Sequence, residues 1–337
     1  MKMAQVNDFI DFLGGYGYVS LLSDIMGCPT IDMLADTETF KAYKFVLKYD
    51  PSWIKKIKER IDKDFNNARS YLGELRAYAD ILRFPFYKVT ANLGDGPDFE
   101  LTGKGTNEKI KIEVYTQLPK ENCTQSLKVD KACFQETIVT PLLNWSTTLK
   151  KTKLSDVSIA KGTIISIGGS KKDAHQVDPN IPTYLYIDFQ QIWGLDCEQA
   201  LPLLSQSEFL TTGILWMAFY GKKGMPILEN FSIQEPVSPV KMSDDGFLWK
   251  SPSNGFAGVL LRCQKNRENP LVFFENPKRK TSHRFICSLL QSGLMNVEKS
   301  CWSYSGVSSR IHWANATIRA IVHKDKQLLV KDNASKK

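Results

Sequence analysis

The stretch NNARSYLGELRAYADILRF, residues 66–84, limits the choice of fold more than any other part of the chain. Its residues Ala68, Tyr71, Leu72, Leu75, Tyr78, Ala79 and Leu82 recur at the i, i+3, i+4, i+7 spacing of a helix that buries one stripe. Pro85 ends it, because proline has no amide proton to donate and clashes with the preceding turn. Immediately afterwards the period changes. FYKVTAN, PDFELTG and KIKIEVYTQ are short strand segments, and in the last one Ile110, Ile112 and Val114 alternate with Lys111, Glu113 and Tyr115. The glycine- and asparagine-rich TGKGTNEK between the second and third segments predicts a hairpin turn. A one-sided helix followed at once by one-sided strands is satisfied when they pack on each other. The prediction is an α/β domain, with α+β as the alternative, built on a central mixed sheet flanked by helices.

Other segments extend this pattern. Residues 1–50 are mostly helical and loop-rich, and PSWIKKIKERIDKDF from Pro51 is a strongly charged amphipathic helix. A helical region is expected at about residues 124–150. GTIISIGG, TYLYIDFQQIWG and GILWMAFYG are expected to be buried strands, being apolar runs bounded by turn residues. GFAGVLLRCQKNRENPLVFFENP predicts two more strands around a polar turn. The expected organisation is an N-terminal helical segment at 1–50, a core at 51–290 with insertions, and a basic C-terminal extension at 291–337.

Charge is distributed unevenly. Residues 241–337 carry 17 Lys+Arg against 7 Asp+Glu, whereas the first 240 carry 27 against 29. A basic C-terminal third suits a polyanionic partner such as nucleic acid. Its best local phosphate-binding candidate is NPKRKTSHR, residues 276–284, with Lys278, Arg279, Lys280 and Arg284. Further on, Trp302, Tyr304 and Trp313 lie near Arg310 and Arg319, a mixture that either stacks on bases or packs in the core. The seven cysteines form no CxxC pair, which argues against a disulfide framework or a zinc ribbon. Free thiols, no signal-peptide pattern and no apolar run of about 18 residues point to a cytoplasmic protein with no membrane partner. No GxSxG, P-loop, GxGxxG or HExxH motif is present.

The acidic residues around the hairpin carry the most chemistry. Hydrolysis of a phosphodiester with a divalent metal needs hard oxygen ligands to polarise the phosphate and activate water. Asp98 follows Pro97, Glu113 lies on the next strand, and Glu74 borders the apolar stripe of the preceding helix. The order GELRAYADIL, GDGPDF, IKIEVYT, and more loosely PLVFFENP, resembles the PD-(D/E)XK nuclease superfamily, including its uncharacterised bacterial members. The resemblance covers residues 66–120 and extends loosely to about 290. It implies a restriction-endonuclease-like core of helix, hairpin strands, helix and strand. It also implies Mg²⁺, with Mn²⁺ as substitute, held by Asp98 and Glu113, with Glu74 as an auxiliary ligand or water-positioning group.

Tyr115 departs from that pattern, since it stands where a nuclease carries a lysine two residues after the glutamate. Several explanations stay open. Lys128 or Lys131 enters from the following region, Lys111 acts from two residues before Glu113, or Tyr115 and Gln117 position a group without a cation. Alternatively the site has lost catalysis and only binds. Asp188 has two readings, a second-layer acid or the N-cap of a following helix. His283 and Cys287 are expected to be a structural pair. The expected function is Mg²⁺-dependent cleavage of nucleic acid, double-stranded DNA first, in restriction or another defence against foreign DNA. A homodimer would suit cutting of both strands. The alternative is a catalytically inactive nuclease-fold protein that binds nucleic acid or a protein.

Overall fold

The computed structural model describes residues 2–15, 37–94, 96–116, 180–189, 200, 204–206, 209–211, 213–227, 231–232, 240–241, 245–249, 255–263, 269–279, 281–297 and 300. Four helices come first: α1 Lys2–Phe12, α2 Glu38–Tyr49, α3 Pro51–Lys63 and α4 Ala68–Ile81. The strands β1 Tyr87–Ala91, β2 Phe99–Gly103, β3 Lys109–Thr116 and β4 Thr183–Asp188 follow. Next come β5 Leu204–Gln206, β6 Phe209–Thr211, α5 Ile214–Tyr220, β7 Pro226–Ile227, β8 Phe231–Ser232 and β9 Val240–Lys241. The described elements end with β10 Phe256–Arg262, β11 Leu271–Glu275 and α6 His283–Gln291.

Local chemistry sets the boundaries of the early helices. Thr37 accepts a hydrogen bond from Phe40 N at 3.1 Å and starts α2. Asp50 ends α2 by donating its N–H to Val46 O, and its carboxylate caps α3 by accepting from Trp53 N at 3.0 Å. Pro51 occupies the first turn of α3, where its missing N–H has no partner to lose. Trp53 then packs at a tilt on Tyr78, which stacks on Phe99, tying α3 and α4 to β2 with ring centroids 4.8 and 5.2 Å apart.

Six strands form one mixed sheet in the order β1-β2-β3-β4-β10-β11. β1, β2 and β3 make an antiparallel meander, with Gly105 at φ +74° in the tight turn between β2 and β3. β4 lies parallel to both β3 and β10, and β11 returns antiparallel on β10. The two faces carry separate cores. On one face Phe99, Leu101, Ile110, Ile112, Val114, Tyr184 and Tyr186 pack with residues of α1–α4 and α6. On the other Leu185, Ile187, Val259, Leu261, Val272 and Phe274 pack against α5 and the turn at 247–249. The strands β4, β10 and the edge strand β11 are buried along their whole length, which is why they read as continuous apolar runs.

The sequence therefore identifies the mixed sheet and its flanking helices correctly. One segment differs. GILWMAFYG is a helix over Ile214–Tyr220, not a strand. Residues 215–220 are all fully buried, so no polar face marks a helical period, and a short apolar run does not distinguish the two conformations. Tyr220 is held by a hydrogen bond from its hydroxyl to Glu275 O at 2.6 Å. The expected helix at 124–150 and the segment GTIISIGG lie outside the described residues, as do Gln117, Lys128, Lys131, Lys280, Trp302, Tyr304, Arg310, Trp313 and Arg319.

α4 approaches β3 very closely. A Cβ on Gly73 would lie 1.8 Å from Thr116 Oγ1 and 2.8 Å from Thr116 Cβ. Thr116 Oγ1 also donates to Ser70 O at 3.3 Å. The glycine, which costs a helix interior about 1 kcal/mol, is therefore what lets the helix backbone reach the strand. This crossing fixes the neighbouring Glu74 relative to the carboxyl end of β3.

Candidate functional site

The β2–β3 register decides which acidic residues meet. Phe99 pairs with Ile112 and Glu100 with Lys111, so Asp98, just before β2, falls opposite Glu113. Strand alternation puts Asp98, Glu100, Lys111, Glu113 and Tyr115 on one face, the face that carries α5. Asp98 Oδ2 accepts from Val114 N at 2.7 Å, a charge-assisted bond that fixes the carboxylate against the middle of β3. Asp98 is half-buried, whereas Glu113 is fully buried. Tyr115 is partly buried against the apolar core on the α5 face.

Glu74 sits on α4, which packs on the opposite face of the sheet. Its Oε2 accepts from Arg60 Nη1 at 3.3 Å, while Arg60 Nη2 donates to Leu93 O at 3.2 Å. Leu93 belongs to the loop that delivers Asp98, and Asn92 braces that loop by donating to Asp98 O and Pro97 O. Arg60 therefore ties Glu74 to the loop carrying Asp98. The register sets Asp98 opposite Glu113, and Arg60 links Glu74 to the loop that carries Asp98. Among the described residues no three His, Cys, Asp or Glu side chains converge as a metal-holding group. Asp98 and Glu113 are the hard-oxygen donors that Mg²⁺ prefers, and the donor chemistry fits that ion.

The basic loop lies elsewhere. Arg284 Nη1 donates to Lys104 O at 2.9 Å, and its Nε lies 3.5 Å from Glu108 Oε2, at the β2–β3 turn. Lys278 Nζ donates to Trp249 O at 3.3 Å, and Arg279 is half-buried beside it. From Asp98 to that turn β2 runs five residues, about 17 Å of strand. Arg284 thus lies at the opposite end of β2 from Asp98. His283 and Cys287 are neighbours one turn apart on α6, with Cys287 Sγ 3.6 Å from His283 Nδ1.

A second charged cluster went unread in the sequence. Asp188 ends β4 and is fully buried. It accepts from Arg76 Nε at 2.8 Å, and Arg76 Nη2 lies 2.7 Å from it. Arg76 Nη1 also donates to Thr39 Oγ1 at 2.7 Å. Opposite Asp188 in the register, Arg262 ends β10 and pairs with Asp80 and, at 3.2 Å, with Glu38. Tyr186 donates its hydroxyl to Asp80 at 2.6 Å. Burial alone would lower the Arg262 pKa, but the charges of Asp80, Tyr186 and Asp188 hold it above its ordinary value. Burial and then the Asp80 charge push the Tyr186 hydroxyl well up, so it stays a donor. The signal was in the sequence. Arg76 and Asp80 sit four apart, alongside the stripe of α4, and an ionisable residue closes each of two apolar strands.

The chain matches no protein-family model, and neither curated proteins nor solved structures give a match.

Proposed function

We propose that the chain is a metal-dependent nuclease of the restriction-endonuclease-like kind, with Asp98 and Glu113 as its metal ligands. Double-stranded DNA is the first substrate in this reading, and the role is restriction or another defence against foreign DNA. One observation carries it: the register sets the aspartate after Pro97 directly opposite the strand glutamate, on one face. The order α4, antiparallel β1–β3, then a strand parallel to β3 supports it in part; the second helix that the resemblance implies before that strand lies outside the described residues.

The residues have separate tasks. Val114 N–H orients the Asp98 carboxylate against the middle of β3. Glu113, buried beside it, supplies the second carboxylate in surroundings where charge interactions are strong. A divalent ion bound there supplies Lewis-acid polarisation of the phosphate and a more acidic water. Lys111, two residues before Glu113 on the same face, provides the cation for the charge that develops on the phosphate. Glu74, anchored by Arg60, supports the loop carrying Asp98.

A second reading rests on Tyr115. It packs partly into the core at the position where a nuclease carries lysine, which favours a protein that keeps the fold and binds nucleic acid or a protein without cutting. Plasmid and RNA cleavage in Mg²⁺ or Mn²⁺, comparing the wild type with Asp98→Ala and Glu113→Ala, separates the two. Metal-dependent cutting abolished by either substitution supports the nuclease. Cutting that survives both removes the site assignment, and no cutting of any substrate favours the second reading.

A further inference from the structure

A cavity of about 170 Å³ opens beside the buried charge cluster, at the carboxyl end of β10, between α2 and α4. Its charged lining is Glu38, Lys41, Asp80, Arg83 and Arg262. The carboxyl ends of parallel strands are where open α/β sheets most often take ligands. The face is the one opposite Asp98 and Glu113, so this site stands independently of the nuclease reading.

The balance of donors and acceptors indicates what the cavity takes. Both carboxylates already accept hydrogen bonds within the cluster. Asp80 Oδ2 accepts from Tyr186 and from Arg262, and Glu38 accepts from Arg262 and from Lys41. The donors are not exhausted. Arg262 is 4% exposed, and its Nε–H has no hydrogen-bond partner among the described residues. A buried donor of this kind costs about 1–3 kcal/mol until something accepts from it. Lys41 spends one of its three protons on Glu38, at 3.0 Å. Arg83 stacks over Phe45 at 4.9 Å, and among the described residues its guanidinium donors meet no acceptor. An acceptor-rich anion satisfies such a site.

We propose that this cavity binds the phosphate group of a phosphomonoester, held by Arg262 at its floor and by Lys41 and Arg83 at its exposed rim. Phosphate suits the arrangement better than carboxylate. Cations from three separate segments, α2, the turn after α4 and β10, line the cavity, and three acceptor oxygens can engage more of them than two can. A phosphomonoester carries nearly two charges at neutral pH and offers three acceptor oxygens.

The test is titration calorimetry on the full chain with four probes. These are inorganic phosphate, a nucleoside 5′-monophosphate, an oligonucleotide with a 5′-phosphate and the same oligonucleotide without one. Succinate serves as the carboxylate control. Saturable phosphate binding that falls by about tenfold or more in Lys41→Ala/Arg83→Ala supports the proposal, since a lost charged contact is worth at least about 1.4 kcal/mol. Preference for the nucleotide assigns a free metabolite as the source, and preference for the 5′-phosphorylated oligonucleotide assigns a nucleic-acid end. No saturable phosphate binding, equal affinity for succinate, or unchanged affinity in the variant overturns it. Should the double variant melt below the wild type, Arg83→Gln, which changes one exposed side chain, gives the same reading.

Discussion

Removing Arg76 tests how the buried charges hold the helices onto the sheet. The pair Arg76–Asp188 is 2.7 Å between charged atoms, with side chains 2% and 0% exposed. At an effective dielectric of about 20, that separation is worth on the order of 6 kcal/mol of attraction. Most of it offsets the desolvation of two ions. Arg76→Ala removes the hydrogen-bonded counter-charge of the carboxylate at the end of β4 and also the bond to Thr39. The expected cost is about 3–5 kcal/mol. The double change Arg76→Met with Asp188→Leu removes both charges and refills the volume, and it should recover at least about 2 kcal/mol of that loss. Urea unfolding followed by tryptophan fluorescence and circular dichroism gives both numbers. A cost for Arg76→Ala below about 1 kcal/mol, or a double variant no better than the single, refutes the reasoning.

Three further outcomes are expected. Gly73→Ala gains about 1 kcal/mol of helix propensity but meets Thr116 at 1.8 Å; the net loss should be about 1–3 kcal/mol, and Thr116→Gly in the same chain should relieve it in a melting experiment. Burial pushes the Asp50 carboxyl up, but the bonds from Ser52, Trp53 and Tyr78 win and hold its pKa below the ordinary value. The stability it contributes is present above about pH 4 and fades as pH falls through the lowered folded value. Asp50→Asn should therefore lower the melting temperature at pH 7, with the gap to wild type closing in strong acid. In the cleavage assay, Lys111→Ala should slow cutting about a hundredfold while Tyr115→Phe changes it by less than about threefold.

The periodic elements were legible because each is one-sided. In β1 and β2 buried residues alternate with more accessible ones, and the least buried residues of α4, Ser70, Tyr71 and Glu74, fall on one side, so periods of two and 3.6 appear in the residue order. Asp98 and Glu113 were legible for the same reason: hairpin alternation puts them on one face before any register is known. Ile214–Tyr220 was not legible, because a helix buried all round has no polar residue to mark its turns. The Arg76–Asp188 pair was hidden differently. Its partners stand 112 residues apart, and only the parallel pairing of β4 with β3 brings the end of β4 under α4. Glu74 illustrates a limit of helical wheels. The wheel put it at the border of the apolar stripe, but which neighbour it met depended on Arg60 of the preceding helix.

Mn²⁺ binding to the full chain, measured by electron paramagnetic resonance or calorimetry, tests the central assignment most directly because it does not depend on finding the right substrate. The prediction is a saturable Mn²⁺ site that Mg²⁺ displaces and that Asp98→Asn and Glu113→Gln each weaken by about tenfold or more, since each removes one anionic oxygen ligand. Glu100→Gln, on an exposed neighbour of the same face, should leave it within about twofold. A wild-type chain with no saturable site, or a site that keeps its affinity in both Asp98→Asn and Glu113→Gln, contradicts the assignment.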